Sequence, residues 1–93
     1  MYYGDTIRGQ MVRDRSEKAR ALVRRVVEES GLSQYQLARD SGLSYAALHA
    51  WIIGKRAPRP ESLLQLAGGL ETRAQELRRM AEKVRHEAED EAR

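Results

Sequence analysis

Two serines and two glycines punctuate the middle of this chain and leave little choice of fold there. Ser33 and Ser44 each stand just before a short apolar-periodic segment, and Gly42 and Gly54 each stand just after one. A serine hydroxyl accepts a hydrogen bond from a backbone N–H of the first helical turn, and glycine adopts the left-handed conformation that closes a helix. The spacing predicts a helix over residues 34–40, a turn at Ser41-Gly42-Leu43 and a second helix over residues 45–53. Helices this short are marginal in water by themselves, so packing must hold the pair. Leu37, Leu43, Leu48 and Trp51 are apolar where the segments would meet, and Ala38 is small where their backbones would cross.

The rest of the chain also reads as helix, which predicts an all-α fold. Ala19, Leu22, Val23, Val26 and Val27 recur at the three-and-four spacing of one helical face over residues 16–30, and Gly31 supplies a stop. The only two prolines, Pro58 and Pro60, mark a basic loop, Lys55-Arg56-Ala57-Pro58-Arg59-Pro60. A fourth helix is expected from Pro60 or Glu61, with Leu63, Leu64, Leu66 and Ala67 buried, and Gly68-Gly69 is expected to end or kink it. Thr72, with Gln75 three residues on, resembles a capping box and would open a fifth helix running toward the terminus. The acidic run Glu87-Ala88-Glu89-Asp90-Glu91 opposes the helix dipole, so the last turn or two should fray. Residues 1–14 are ambiguous: Ile7, Met11 and Val12 suit a helix, whereas Gly4 and Gly9 disfavour one.

Ninety-three residues suffice for one domain and not for two. No apolar run approaches the ~18 residues a membrane span needs, so no membrane partner is expected. The absence of cysteine excludes disulfides and thiolate metal sites and fits a reducing compartment. Tyr2, Tyr3, Gly4 and Asp5 lack the layout of a secretion signal, and a cytoplasmic location is expected. Catalysis has little to work with: His49 and His86 are 37 residues apart, and the carboxylates sit on helix ends that read as solvated. No enzymatic activity, metal or cofactor is expected. Charge is uneven, with 7 basic and 5 acidic residues in positions 1–30, 4 and 1 in 31–60, and 6 and 8 in 61–93. The middle third, which holds the paired helices, is the positive one and favours a polyanionic partner.

The run from Leu32 through Trp51 resembles the helix-turn-helix of the lambda-repressor-like family of phage Cro and cI proteins and bacterial XRE-type regulators. The likeness continues through Trp51-Ile52-Ile53-Gly54-Lys55-Arg56-Ala57-Pro58, which matches the family's Trp-x-x-Gly-Lys-Arg-x-Pro ending, and it covers about residues 16–70. The resemblance implies five short helices with the third in the DNA major groove. It assigns base contacts to Tyr45, Ala46, His49 and Ala50, and phosphate contacts to Ser33, Gln34, Ser44, Lys55, Arg56 and Arg59. Because two of the four base-facing positions are alanines, hydrogen-bond readout would fall mainly to Tyr45 and His49. Many members carry an arginine and a glutamate, as an ion pair, where this chain has Val27 and Ile52; the two apolar residues are expected to touch across the core.

The chain thus divides into an N-terminal arm or extension (1–14), a helix-turn-helix domain (15–70) and a C-terminal helix (71–93). Leu70, Leu77 and Val84 lie seven apart on that last helix, and Leu77, Met80, Ala81 and Val84 are its candidates for pairing with a second copy. The expected function is a sequence-specific regulator of double-stranded DNA, most simply a repressor of phage, plasmid or bacterial type. It would act as a homodimer on an inverted-repeat operator. The rival is an antitoxin or antirepressor-like module that holds a second protein through Ile53, Tyr2, Tyr3 or the last helix.

Overall fold

The computed structural model describes residues 3–93, with side-chain surroundings from Arg15 onward. Four helices follow in order: α1 (Tyr3–Ser30), α2 (Gln34–Ser41), α3 (Tyr45–Ile52) and α4 (Pro60–Ala92), with no strand among the described residues. The helix expected from residue 16 begins at Tyr3, so the 1–14 extension is largely continuous with α1. Tyr2 lies outside the described residues, as do the side chains of Tyr3, Ile7, Met11 and Val12.

The punctuation of the middle segment operates as backbone chemistry requires. Ser33 Oγ accepts from the Gln36 N–H at 3.0 Å while the Gln36 side chain accepts from the Ser33 N–H at 3.2 Å, a reciprocal capping box. Ser44 Oγ accepts from the Ala47 N–H at 3.1 Å. Both short helices end in the same left-handed closure. At Gly42, φ is 67° and the N–H groups of Gly42 and Leu43 return to the carbonyls of Arg39 and Ala38. At Gly54, φ is 83° and the N–H groups of Gly54 and Lys55 return to Trp51 and Ala50.

Five helices were expected and four are found, because Gly68-Gly69 neither ends nor interrupts α4. Gly69 is buried against the end of α2, where an added Cβ would come within 2.8 Å of the Ser41 backbone N and Cα. The glycine is there for close approach of two helices, not for termination. Thr72 consequently lies inside a helix and caps nothing: its Oγ1 donates to the Gly68 carbonyl at 3.0 Å. Nor does the acidic run stop α4 short of Ala92, since each ill-placed charge costs only about 0.3–1 kcal/mol.

Val23, Leu37, Ala38, Leu48, Trp51 and Leu66 form the buried core, to which every helix contributes. Leu63, Leu66, Gly69, Leu70 and Arg73 of α4 follow one helical stripe, and all are buried or half-buried. Leu64 and Ala67, expected inside, fall off that stripe and are exposed, Leu64 at 74%. Leu22 of α1 is likewise 51% exposed. Val27 and Ile52 are each half-buried against the same core, so neither position carries a charge that would have had to be desolvated.

A polar clamp reinforces the α2–α4 crossing. Arg73 donates from Nε and Nη2 to Asp40 Oδ2 at 3.0 and 2.7 Å, with the two side chains only 18% and 13% exposed. Asp40→Ala should lower unfolding stability by about 1–2 kcal/mol, since the mostly buried guanidinium loses both of its bonds to Asp40 and keeps only the half-buried Glu76 carboxylate, 3.3 Å from Nη1. In a double-mutant cycle with Arg73→Ala, denaturant unfolding should return a coupling above the roughly 0.2–1 kcal/mol of an exposed ion pair.

Candidate nucleic-acid interface

Helix α3 is amphipathic across its short width. Leu48 and Trp51 point inward at 0% and 5% exposure, while Tyr45 and Ala46 are exposed and His49 and Ala50 half-buried. Positions 45, 46, 49 and 50 share one face at helical spacing, opposite the core. Part of what half-covers His49 is its own neighbourhood: Nδ1 lies 3.2 Å from Gln34 Oε1, and the Tyr45 ring stacks on it with centroids 5.6 Å apart and planes 12° from parallel. Gln34, the first residue of α2, is thereby brought against α3 although it lies 15 residues away in sequence.

The helix N-termini are arranged to leave donors free. The hydroxyls of Ser33 and Ser44 each satisfy the third N–H of the following helix, at Gln36 and Ala47. The N–H groups of Gln34 and Tyr35, and of Tyr45 and Ala46, lie in the first turn, where no carbonyl of the same helix can reach them. Such a turn, with the positive end of the dipole behind it, attracts anions.

The third component is the loop between α3 and α4. Closure at Gly54 folds Lys55 and Arg56 back over the end of α3, where both N–H groups bond the Ala50 carbonyl at 2.9 and 3.3 Å. Pro58 is buried and anchors the loop, Arg59 stands at the α4 N-cap without a side-chain cap bond, and Pro60 starts the helix. Lys55, Arg56 and Arg59 are all exposed, and none is paired with a carboxylate among the described residues. Arg56 and Arg59 also line an open cleft of about 600 Å³ with Ala47, Trp51, Ala57 and Ser62.

A helix-turn-helix family model of the lambda-repressor-like type matches residues 23–77, more than half of the chain. The chain belongs to the lambda-repressor-like helix-turn-helix family. No curated protein and no solved structure matches it. In this lambda-repressor-like protein α2 and α3 are the paired helices of the motif, and membership makes it a DNA-binding transcription regulator of the XRE type, from a family that is generally non-enzymatic. Among the described residues no His, Asp or Glu cluster could hold a metal ion, and no helix is long and apolar enough to cross a membrane.

The four candidate pairing residues of the last helix are all exposed on α4. Leu77, Met80 and Val84 are 56%, 54% and 70% exposed, Ala81 is exposed, and no residue of α4 beyond Glu76 is buried. Two contacts were not foreseen from sequence. The Gln34–His49 contact joins two helices at a spacing that no periodicity reveals. The Asp40–Arg73 clamp likewise follows only from the crossing of α2 over α4.

Proposed function

We propose that the protein is a sequence-specific repressor of phage, plasmid or bacterial type that lays α3 in the major groove of an operator. The observation that carries this reading is the α3 face of Tyr45, Ala46, His49 and Ala50 beside three exposed loop cations that pair with no carboxylate among the described residues. Tyr45, Ala46, His49 and Ala50 would meet the bases, with the alanines limited to thymine methyl contact or close approach. Ser33, Gln34, Ser44, Lys55, Arg56 and Arg59 would meet phosphates, fixing register and supplying affinity. A second copy would pair through Leu77, Met80, Ala81 and Val84, setting two α3 helices on half-sites about 34 Å apart.

Selection of bound sequences from random duplex DNA tests this, together with a solution mass of the free protein. The expected result is an inverted-repeat site and the mass of a dimer. Arg56→Ala should weaken binding to all sequences alike, whereas His49→Ala should relax preference at one base position. If both variants lost only uniform affinity, the role of His49 as a reader would fall. The exposed Ile53 and the open α4 stripe favour a second reading, a module that holds another protein. That reading expects weak, unselective DNA binding and a co-purifying partner.

A further inference from the structure

We propose that His49 reads a base carrying an exocyclic amino group, adenine N6 or cytosine N4, with Nε2 as acceptor, because Gln34 holds the imidazole in the tautomer protonated at Nδ1. This rests on the reading that α3 enters the major groove, and it specifies the chemistry of one contact there.

Gln34 presents Oε1 to His49 Nδ1 at 3.2 Å, and since a carbonyl oxygen can only accept, this contact is a hydrogen bond when the proton sits on Nδ1. A neutral imidazole protonated at Nδ1 has a bare lone pair at Nε2. Among the described residues no hydrogen bond uses that atom, and it is not among the buried side-chain atoms lacking a partner, so it is open to a ligand. The Tyr45 ring, 12° from parallel with the imidazole, stacks on it and restrains the ring plane. Ala46 and Ala50 carry only methyl groups, so neither competes with His49 for the same base edge.

In the major groove adenine and cytosine present amino donors, whereas guanine N7 and O6 and thymine O4 are acceptors. A fixed acceptor at Nε2 bonds the first pair and opposes the second. Sequence alone cannot separate these cases, because a free histidine interconverts between tautomers and presents either a donor or an acceptor. In this arrangement Gln34 is a positioning residue: it acts on the base through His49.

Two measurements on the full chain test the proposal. Imidazole ¹⁵N shifts of His49 in the free protein should show Nδ1 protonated and Nε2 bare, and Gln34→Leu should move the population toward the other tautomer. Selection at pH 8 should return adenine or cytosine at one position per half-site, favoured roughly three- to tenfold, as befits one hydrogen bond. The preference should vanish in His49→Ala and broaden to admit guanine in Gln34→Leu. Replacing the amino group of that base by hydrogen, with purine for adenine or 2-pyrimidinone for cytosine, should erase the difference between wild type and His49→Ala. An Nε2-protonated ring in the free protein overturns the proposal, as does a His49-dependent preference for guanine or thymine, or an amine-free base bound as well as the parent. Failure of the wild type to select any sequence overturns the major-groove reading itself, an outcome distinct from a selected site that lacks the amine dependence.

Discussion

Gly69→Ala is expected to destabilise the protein by about 2–3 kcal/mol, although alanine is normally the better helix former. The new methyl would be driven into the Ser41 backbone, which cannot rotate away as a side chain could. For a domain of this size such a loss lowers the melting temperature by roughly 10–20 °C. The neighbouring Gly68 supplies the control: nothing lies within 4 Å of a Cβ placed there. Gly68→Ala should therefore stabilise the helix by about 0.5–1 kcal/mol. Thermal unfolding of the two variants decides the matter, and equal shifts would show that α2 does not sit against Gly69. Ser41→Ala offers a further check. The Ser41 hydroxyl is buried without a hydrogen-bond partner, so its removal should be neutral or slightly stabilising.

Simultaneous replacement of Lys55, Arg56 and Arg59 by alanine is expected to have the largest effect on DNA binding. If each side chain neutralises one phosphate, the slope of log K against log salt should become shallower by about 2.7. Affinity at low salt should fall on the order of a hundredfold for cognate and unrelated duplexes alike. Stability should change by less than about 0.5 kcal/mol, because surface side chains without partners contribute little. Arg59 makes no capping bond that alanine would forfeit. The comparison variant is Arg78→Ala with Arg79→Ala, two exposed cations of α4 beyond the last half-buried residue of that helix. Binding titrations at several salt concentrations should show no change of slope for this pair. An unchanged slope in the loop variant would remove the loop from the interface.

These two results probe different layers of the molecule, and the layers differ in how openly the sequence displays them. The caps at Ser33 and Ser44, the left-handed turns at Gly42 and Gly54 and the helix start at Pro60 could be read directly, because each is a transaction between a residue and backbone within a few positions of it. The all-α class and the paired helices followed, as did most of the core-facing positions of α2 and α3. Gly68-Gly69 could not be read in the same way. A glycine that ends a helix and a glycine that lets another helix approach look alike in one dimension, and only the presence of Ser41 across the contact separates them. Leu64 and Ala67 were misplaced for a related reason: with four apolar residues in five positions, periodicity leaves the buried stripe undetermined until α2 selects it.

The candidate interface divides along the same line. Residue types and spacing were enough to nominate Tyr45, Ala46, His49 and Ala50 and the cations of the loop, since a helix face and a loop are local objects. The partnership of His49 with Gln34 was not visible, and neither was the use of Asp40 to hold Arg73. By itself the sequence determined where helices start and stop around the motif, which family the motif resembles and where positive charge collects, all of which are set by chain chemistry over short spans. Only the tertiary structure decided that two C-terminal helices are one, which stripe of α4 is buried and that His49 lies against Gln34, because each depends on atoms brought together from distant parts of the chain.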